Sequence, residues 1–124
     1  MKKSASCLFC TPDSVVLEGD LVYARRDSYP VSPGHLLIIP YRHVADYFET
    51  TVEEKAAIAE MIDRAREWVR QEHAPDGFNI GVNCGAAAGQ SVMHVHIHLI
   101  PRYAGDMENP RGGVRGVIPD KQKY

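Results

Sequence analysis

Short apolar runs broken by turn residues fill the first forty positions, and a long apolar stripe at helical spacing follows them. Val15–Leu17 and Leu21–Ala24 flank Glu18-Gly19-Asp20, the pattern of a β-hairpin. Pro30, Pro33 and Gly34 then turn the chain into Leu36–Ile39, a wholly apolar strand that Pro40 ends. A helix is predicted from Thr51, where Thr51-Val52-Glu53-Glu54 forms a capping box whose hydroxyl and carboxylate satisfy free amides of the first turn. Ile58, Met61, Ile62, Ala65, Trp68 and Val69 make one apolar stripe against a charged face, and Pro75 and Gly77 stop the helix. Burying each large residue of that stripe contributes roughly 1.5–3 kcal/mol, an upper figure because the unfolded chain is already partly compact. Phe78–Val82 and Val92–Ile100 complete the strands, joined by the small residues Gly85-Ala86-Ala87-Ala88-Gly89. The order predicts an α+β domain over residues 1–124, with about five antiparallel strands and the helix on one face.

The last of these strands carries the chemistry. In MHVHIHLIP, His94, His96 and His98 alternate with Val95, Ile97 and Leu99. Strand side chains point to opposite faces with a period of two, so three imidazoles share one face at roughly 6.6–6.8 Å intervals. A helix would scatter them, because each residue turns about 100°. Such a row suits two reactions. Three histidines can hold a catalytic zinc with an open position, although ligands on one flat strand converge poorly on a tetrahedral ion. Alternatively, a neutral imidazole attacks phosphorus while its neighbours stabilise charge and donate a proton, which histidine's near-neutral pKa allows. Gly89-Gln90-Ser91, just before the row, supplies amides and a hydroxyl for phosphate oxygens.

Bulk properties narrow the choice. A net charge of −2 over 124 residues argues against a general nucleic-acid binder. No stretch approaches the ~20 apolar residues that span a bilayer, and the apolar run in MKKSASCLFC is too short for a secretory signal, so a cytoplasmic location is expected. The three cysteines are Cys7, Cys10 and Cys84, an odd count that makes a disulfide framework a poor reading. Cys7-Leu8-Phe9-Cys10 has the spacing of half a zinc site, with a redox pair or two buried thiols as the other readings.

His94-Val95-His96-Ile97-His98-Leu99-Ile100 matches the histidine-triad (HIT) signature, His-φ-His-φ-His-φ-φ, at every position. Pro33-Gly34-His35-Leu36-Leu37-Ile38-Ile39-Pro40, Asn83 and Ala88-Gly89-Gln90-Ser91-Val92 follow the same family in order. The chain therefore resembles the histidine-triad family over nearly its whole length. Pro101-Arg102-Tyr103-Ala104-Gly105-Asp106 is similar to the fragile-histidine-triad and bacterial dinucleoside-polyphosphate hydrolase branch.

The resemblance implies a HIT-like fold, one long and one short helix packed on the sheet, and a homodimer whose sheets join. It implies nucleotidyl hydrolysis at the α-phosphate, with His96 as nucleophile, His98 assisting the leaving group, His35 orienting the active ring and His94 completing the triad. Gln90 and Ser91 are expected on phosphate oxygens, Asn83 behind the same loop, Asp27 on the ribose, and Phe9 and Leu21 at the base. It also completes the cysteine pair: Cys7, Cys10, His43 and His94 are implied to hold a structural zinc that pins the Met1–Cys10 arm. The tail Arg102–Tyr124 brings Arg102, Arg111 and Arg115 as candidates to clamp a polyphosphate. The implied substrates are dinucleoside polyphosphates such as diadenosine tetraphosphate. A purine nucleoside phosphoramidase, or a nucleotide-binding regulatory module with slow turnover, is the alternative.

Overall fold

The computed structural model describes residues 7–124; the first six residues of the predicted arm lie outside that range. Five strands form one antiparallel sheet in the order β1-β2-β3-β5-β4, with β1 Val15–Glu18, β2 Val22–Arg26, β3 Leu36–Pro40, β4 Gly77–Val82 and β5 Ile97–Arg102. Among the described residues the single α-helix, α1, runs Val52–His73, and short 3-10 helices cover Tyr47–Glu49, Ala86–Ala88, Gly113–Val117 and Pro119–Lys121.

The start of α1 follows from its sequence. Thr51 Oγ1 accepts from the Glu54 amide at 3.0 Å, and Glu54 Oε1 accepts from the Thr51 amide at 2.8 Å. Glu54 is also gripped by Arg42 at 2.7 and 2.9 Å, which holds its carboxyl below the usual carboxylate range. Thr51→Ala is expected to cost about 1 kcal/mol, the usual size of a lost N-cap, read as a shifted denaturation midpoint with an unchanged slope. Ala74 ends the helix in the left-handed region, ahead of Pro75.

Each face of the sheet is covered differently. Val22, Ala24, Leu36, Ile38, Ile97 and Leu99 pack against Ile58, Met61, Ala65 and Val69 of α1. On the opposite face Tyr23, Leu37 and Ile39 pack under Phe9 from the N-terminal arm. This two-sided cover is why β3 is apolar throughout instead of alternating. Where the chain turns into β3, Gly34 sits at φ +90°, and a Cβ there would lie 2.8 Å from the His73 ring. Only glycine fits, and the tight turn delivers His35 to the sheet.

One predicted element is shorter than expected. The strand Val92–Ile100 begins only at Ile97, so His94 and His96 precede the ladder. The β3–β5 ladder stops at Ile38–Ile97, before β3 itself ends at Pro40; Pro40 has no N–H to continue it, and Val95 donates to the Val44 carbonyl at 2.8 Å in a connection outside the sheet. The backbone at His94–His96 therefore bends, and the three imidazoles do not form a single row.

Candidate active site and metal centre

His94 is fully buried, and its Nε2–H donates to the Pro40 carbonyl at 2.8 Å. That bond leaves Nδ1 as the lone-pair nitrogen, 3.3 Å from Cys7 Sγ and 3.6 Å from Cys10 Sγ. His43 Nδ1 lies 3.1 Å from Cys10 Sγ. All four donor atoms fall within 4.8 Å of one another. A tetrahedral zinc, at ~2.3 Å from sulfur and ~2.0–2.1 Å from nitrogen, needs its donors ~3.3–3.8 Å apart. The residues fit that ion in donor type and spacing, and the backbone bond that fixes the His94 ring is the kind of outer contact metal-ligating histidines make.

His96 turns the other way. Its Nδ1–H donates to the His94 carbonyl at 2.9 Å, so in the neutral imidazole Nε2 carries the lone pair. The His96 and His98 rings lie 5.3 Å apart, and His96 packs edge-on against Phe9 at 5.0 Å. A second chain of bonds fixes His98. The Val31 amide donates to His35 Nδ1 at 3.0 Å, so His35 carries its proton on Nε2 and presents it to His98 Nδ1 at 2.9 Å. His98 in turn keeps its own proton on Nε2. Asp27 completes the group, with Oδ2 3.3 Å from His35 Nε2 and 3.9 Å from His98 Nδ1. The arrangement thus offers one imidazole lone pair and, beside it, one imidazole N–H.

Burial, with the His96 and His35 rings nearby and Asp27 opposing, pushes His98 down to about 4. Burial likewise lowers His35, again against Asp27. His98 in the folded chain stays neutral down to about pH 4, whereas the unfolded chain takes that proton near 6.5. Its contribution to stability is whole above about pH 6.5 and is lost as the pH falls towards 4. Denaturant midpoints should fall across that window, and fall less steeply in His98→Ala; an unchanged slope in the variant would contradict the assignment.

Two cavities meet at His98. One, of about 400 Å³, is lined by Leu8, Phe9, Arg25, Leu37, Ser91 and His96 among others. The other, of about 570 Å³, runs along β4 to Val114 and Val117 of the tail. Asp27, Tyr29, Asn83 and His98 line both.

The sequence-predicted residues sort accordingly. Ser91, Asn83, Asp27 and Phe9 reach the cavities, as do His35, His96 and His98. His94 goes to the cysteines, the set in which the resemblance placed it, and does not line the cavities that His96 and His98 reach. Gln90 is also displaced: its Oε1 accepts from the Gly85 amide at 2.8 Å, and its Nε2 donates to the Ala45 and Val92 carbonyls at 2.6 and 3.1 Å. Buried and fully bonded to backbone, it braces the loop and is not free for phosphate oxygens. Leu21 lies beside α1 with Met61 and Arg64, away from the base cavity. Arg102 forks onto Asp106 at 2.8 Å and onto Asn79 at 2.7 Å, and Arg111 and Arg115 both stack on Tyr124, so these three guanidinium groups have partners within the tail and β4. Sequence reasoning missed Arg25 and Leu37, which line the cavity on the face that the arm covers.

The HIT domain profile matches residues 10–105. The chain belongs to the HIT family. It is 41% identical over 93 residues to the AP-4-A phosphorylase of Mycobacterium tuberculosis, covering 74% of this chain and 48% of that protein. The chain thus spans about half the length of that curated relative. Among solved structures, a HIT family protein from Bacillus anthracis superposes with a TM-score of 0.77 at 37% identity, covering 82% of this chain and 77% of that one. A zinc-bound histidine triad family protein from Mycobacterium smegmatis superposes at 0.75 with 35% identity, covering 84% and 80%. The HIT fold follows from this membership.

Proposed function

We propose that this HIT protein hydrolyses dinucleoside polyphosphates of the diadenosine tetraphosphate type at the α-phosphate, through a nucleotidyl group carried on His96. The observation that carries the reading is the pair of fixed tautomers, a lone pair on His96 Nε2 beside a proton on His98 Nε2. His96 Nε2 attacks the α-phosphorus and the P–O bond to the remaining phosphates breaks. His98 donates a hydrogen bond from Nε2–H to the departing oxygen, the polyphosphate leaves as an anion with the P–O electron pair, and Ser91 and Asn83 are placed to hold phosphate oxygens. Water then attacks phosphorus, the N–P bond breaks with its electron pair returning to His96 Nε2, and the proton that water sheds passes to solvent as nucleoside monophosphate leaves. The second cavity gives the leaving portion of a two-nucleoside substrate a place, which favours a dinucleotide over a small amine leaving group. The kinship to an AP-4-A phosphorylase supports the same substrate class.

We further propose that Cys7, Cys10, His43 and His94 hold a zinc whose positions are all filled by protein, so that it braces the arm and leaves the phosphorus chemistry to the imidazoles. A homodimer through β4 fits the same frame. β4 is an edge strand, Ile80 on it is 49% exposed, and a groove lined by Ile58, Ala59 and Ile62 runs beside it. A second copy pairing edge to edge would cover both.

The test is incubation with diadenosine tetraphosphate, and separately with adenosine phosphoramidate, in ¹⁸O-water, followed by product identification. Labelled AMP from the tetraphosphate is expected. Unlabelled ADP formed only with added phosphate would make phosphate the acceptor, and release from the phosphoramidate alone would move the protein to the phosphoramidase class.

A further inference from the structure

The nucleotide cavity contains a cation with an idle donor. Arg25 is 3% exposed, yet it is a cavity-lining residue beside Phe9 and Leu37. Its Nε donates to the Arg26 carbonyl at 3.1 Å and one Nη to Ser28 Oγ at 3.0 Å. The remaining Nη1 has no partner, and it is the single buried side-chain polar atom among the described residues in that state. No carboxylate of the described residues pairs with this guanidinium. The side chain lies over the Phe9 ring, 5.3 Å from its centroid. A buried charge with neither a counter-ion nor a full set of hydrogen bonds is costly, and an acceptor supplied by a ligand removes part of that cost.

The sheet register says which part of a nucleotide would meet it. Arg25 pairs with Leu37, and Leu37 pairs with His98. Arg25 therefore stands two strand spacings from His98, about 9.5 Å at the backbone. With the α-phosphorus at His96 and His98, that separation spans a ribose and reaches the base. Leu8, Phe9, Leu37 and Val92 give this end of the cavity an apolar wall, a slot for a flat ring, and Ser28 there already accepts from Arg25. An apolar slot alone does not choose between purines. An arginine donor does: guanine presents O6 and N7 as acceptors along one edge, whereas adenine presents N7 beside an N6 amine that would face the arginine donor to donor.

We propose that Arg25 reads the base, and that this site prefers a 6-oxopurine nucleotide to its adenine counterpart. The inference rests on the proposed nucleotide reading of the cavity and names the substrate within it.

The experiment compares kcat/KM for diguanosine and diadenosine tetraphosphates, with diinosine tetraphosphate as the analogue that keeps O6 and N7 but lacks the 2-amine. Guanosine and inosine substrates should be favoured at least fivefold, on the order of one arginine–guanine contact, and the difference should lie in KM. Arg25→Leu should bring the three substrates within about twofold of one another. Equal use of adenosine and guanosine substrates by the unaltered chain would overturn the proposal, and that comparison needs no variant to fold. Retention of the preference in a folded Arg25→Leu chain would overturn it as well. Calorimetric titration with GMP and AMP separates this inference from the proposed reaction: tighter GMP binding without turnover of any tetraphosphate would sink the reaction and keep the base assignment, and equal binding would sink the assignment.

Discussion

Replacing His96 with asparagine is expected to lower turnover of diadenosine tetraphosphate by about four orders of magnitude or more, while nucleotide affinity stays within a few-fold of the parent's. A loss of that size corresponds to ~5 kcal/mol of transition-state stabilisation, within the range seen when a nucleophile is removed from a site that otherwise remains intact. The reason is the tautomer arrangement. His96 alone offers a free lone pair at the cavity, because its Nδ1 proton is tied to the His94 carbonyl. The neighbouring imidazoles cannot substitute: His98 presents its proton at Nε2, held there by His35, and His94 turns its lone pair towards the cysteine sulfurs. Asparagine can still donate to the His94 carbonyl and fill part of the ring's volume, so Phe9 and Ser91 keep their places. A His96→Asn chain that is well folded, binds nucleotide and turns over within tenfold of the parent would exclude His96 as the nucleophile. Loss of binding together with turnover would instead point to collapse of the cavity.

Removing zinc is expected to cost the fold far more than it costs the chemistry. At zinc concentrations a thousandfold above its dissociation constant, binding contributes ~4 kcal/mol, which for a chain of this size is a melting shift on the order of 10–20 °C. Cys10→Ala, or incubation with a strong chelator, should release one metal ion per chain and lower the melting temperature by that amount. The arm would lose its clasp to His43 and His94. What remains for it is the Tyr23 hydroxyl on the Phe9 carbonyl at 2.7 Å and the apolar contacts of Phe9 with Leu37 and Ile39. Since Leu8 and Phe9 line the base end of the cavity, KM should rise more than kcat falls. Atomic absorption of the purified chain, calorimetric melting and steady-state kinetics check the three parts. A chelated chain that melts unchanged but has lost all turnover would assign the metal to catalysis instead.

The parts of this structure that were legible in the sequence are those governed by local rules. Thr51 and Glu54 announce the start of α1 because a capping box needs only the residues it joins, and both of its bonds are present. Leu36–Ile39 reads as a doubly buried strand because four consecutive apolar residues have few other places to go. The histidine run was half legible. Alternation correctly separates His98 from Leu99 and Ile97, yet it carries no information about where the neighbouring strand stops. Pro40 brings no N–H to the ladder, pairing with β5 stops at Ile38–Ile97, and His94 swings onto a different site. Gln90 illustrates a second blind spot. An amide beside a glycine suits phosphate or backbone equally, and only the folded loop shows that three backbone groups already take its bonds. Arg25 was invisible for a third reason: the first of two consecutive arginines at a strand end reads as solvent-facing, and the pattern does not reveal that a distant arm covers that face.

The central claim is that phosphorus is transferred twice, first to His96 and then to water. The stereochemical course at the α-phosphorus tests it most directly. A single diastereomer of the α-phosphorothioate analogue of diadenosine tetraphosphate, hydrolysed in ¹⁸O-water, yields a chiral nucleoside thiophosphate whose configuration is read by phosphorus NMR after enzymatic conversion. Two in-line displacements each invert the centre, so net retention is the expected result. Net inversion would mean a single attack by water, and His96 would then be a base or an electrostatic partner, contradicting the covalent account.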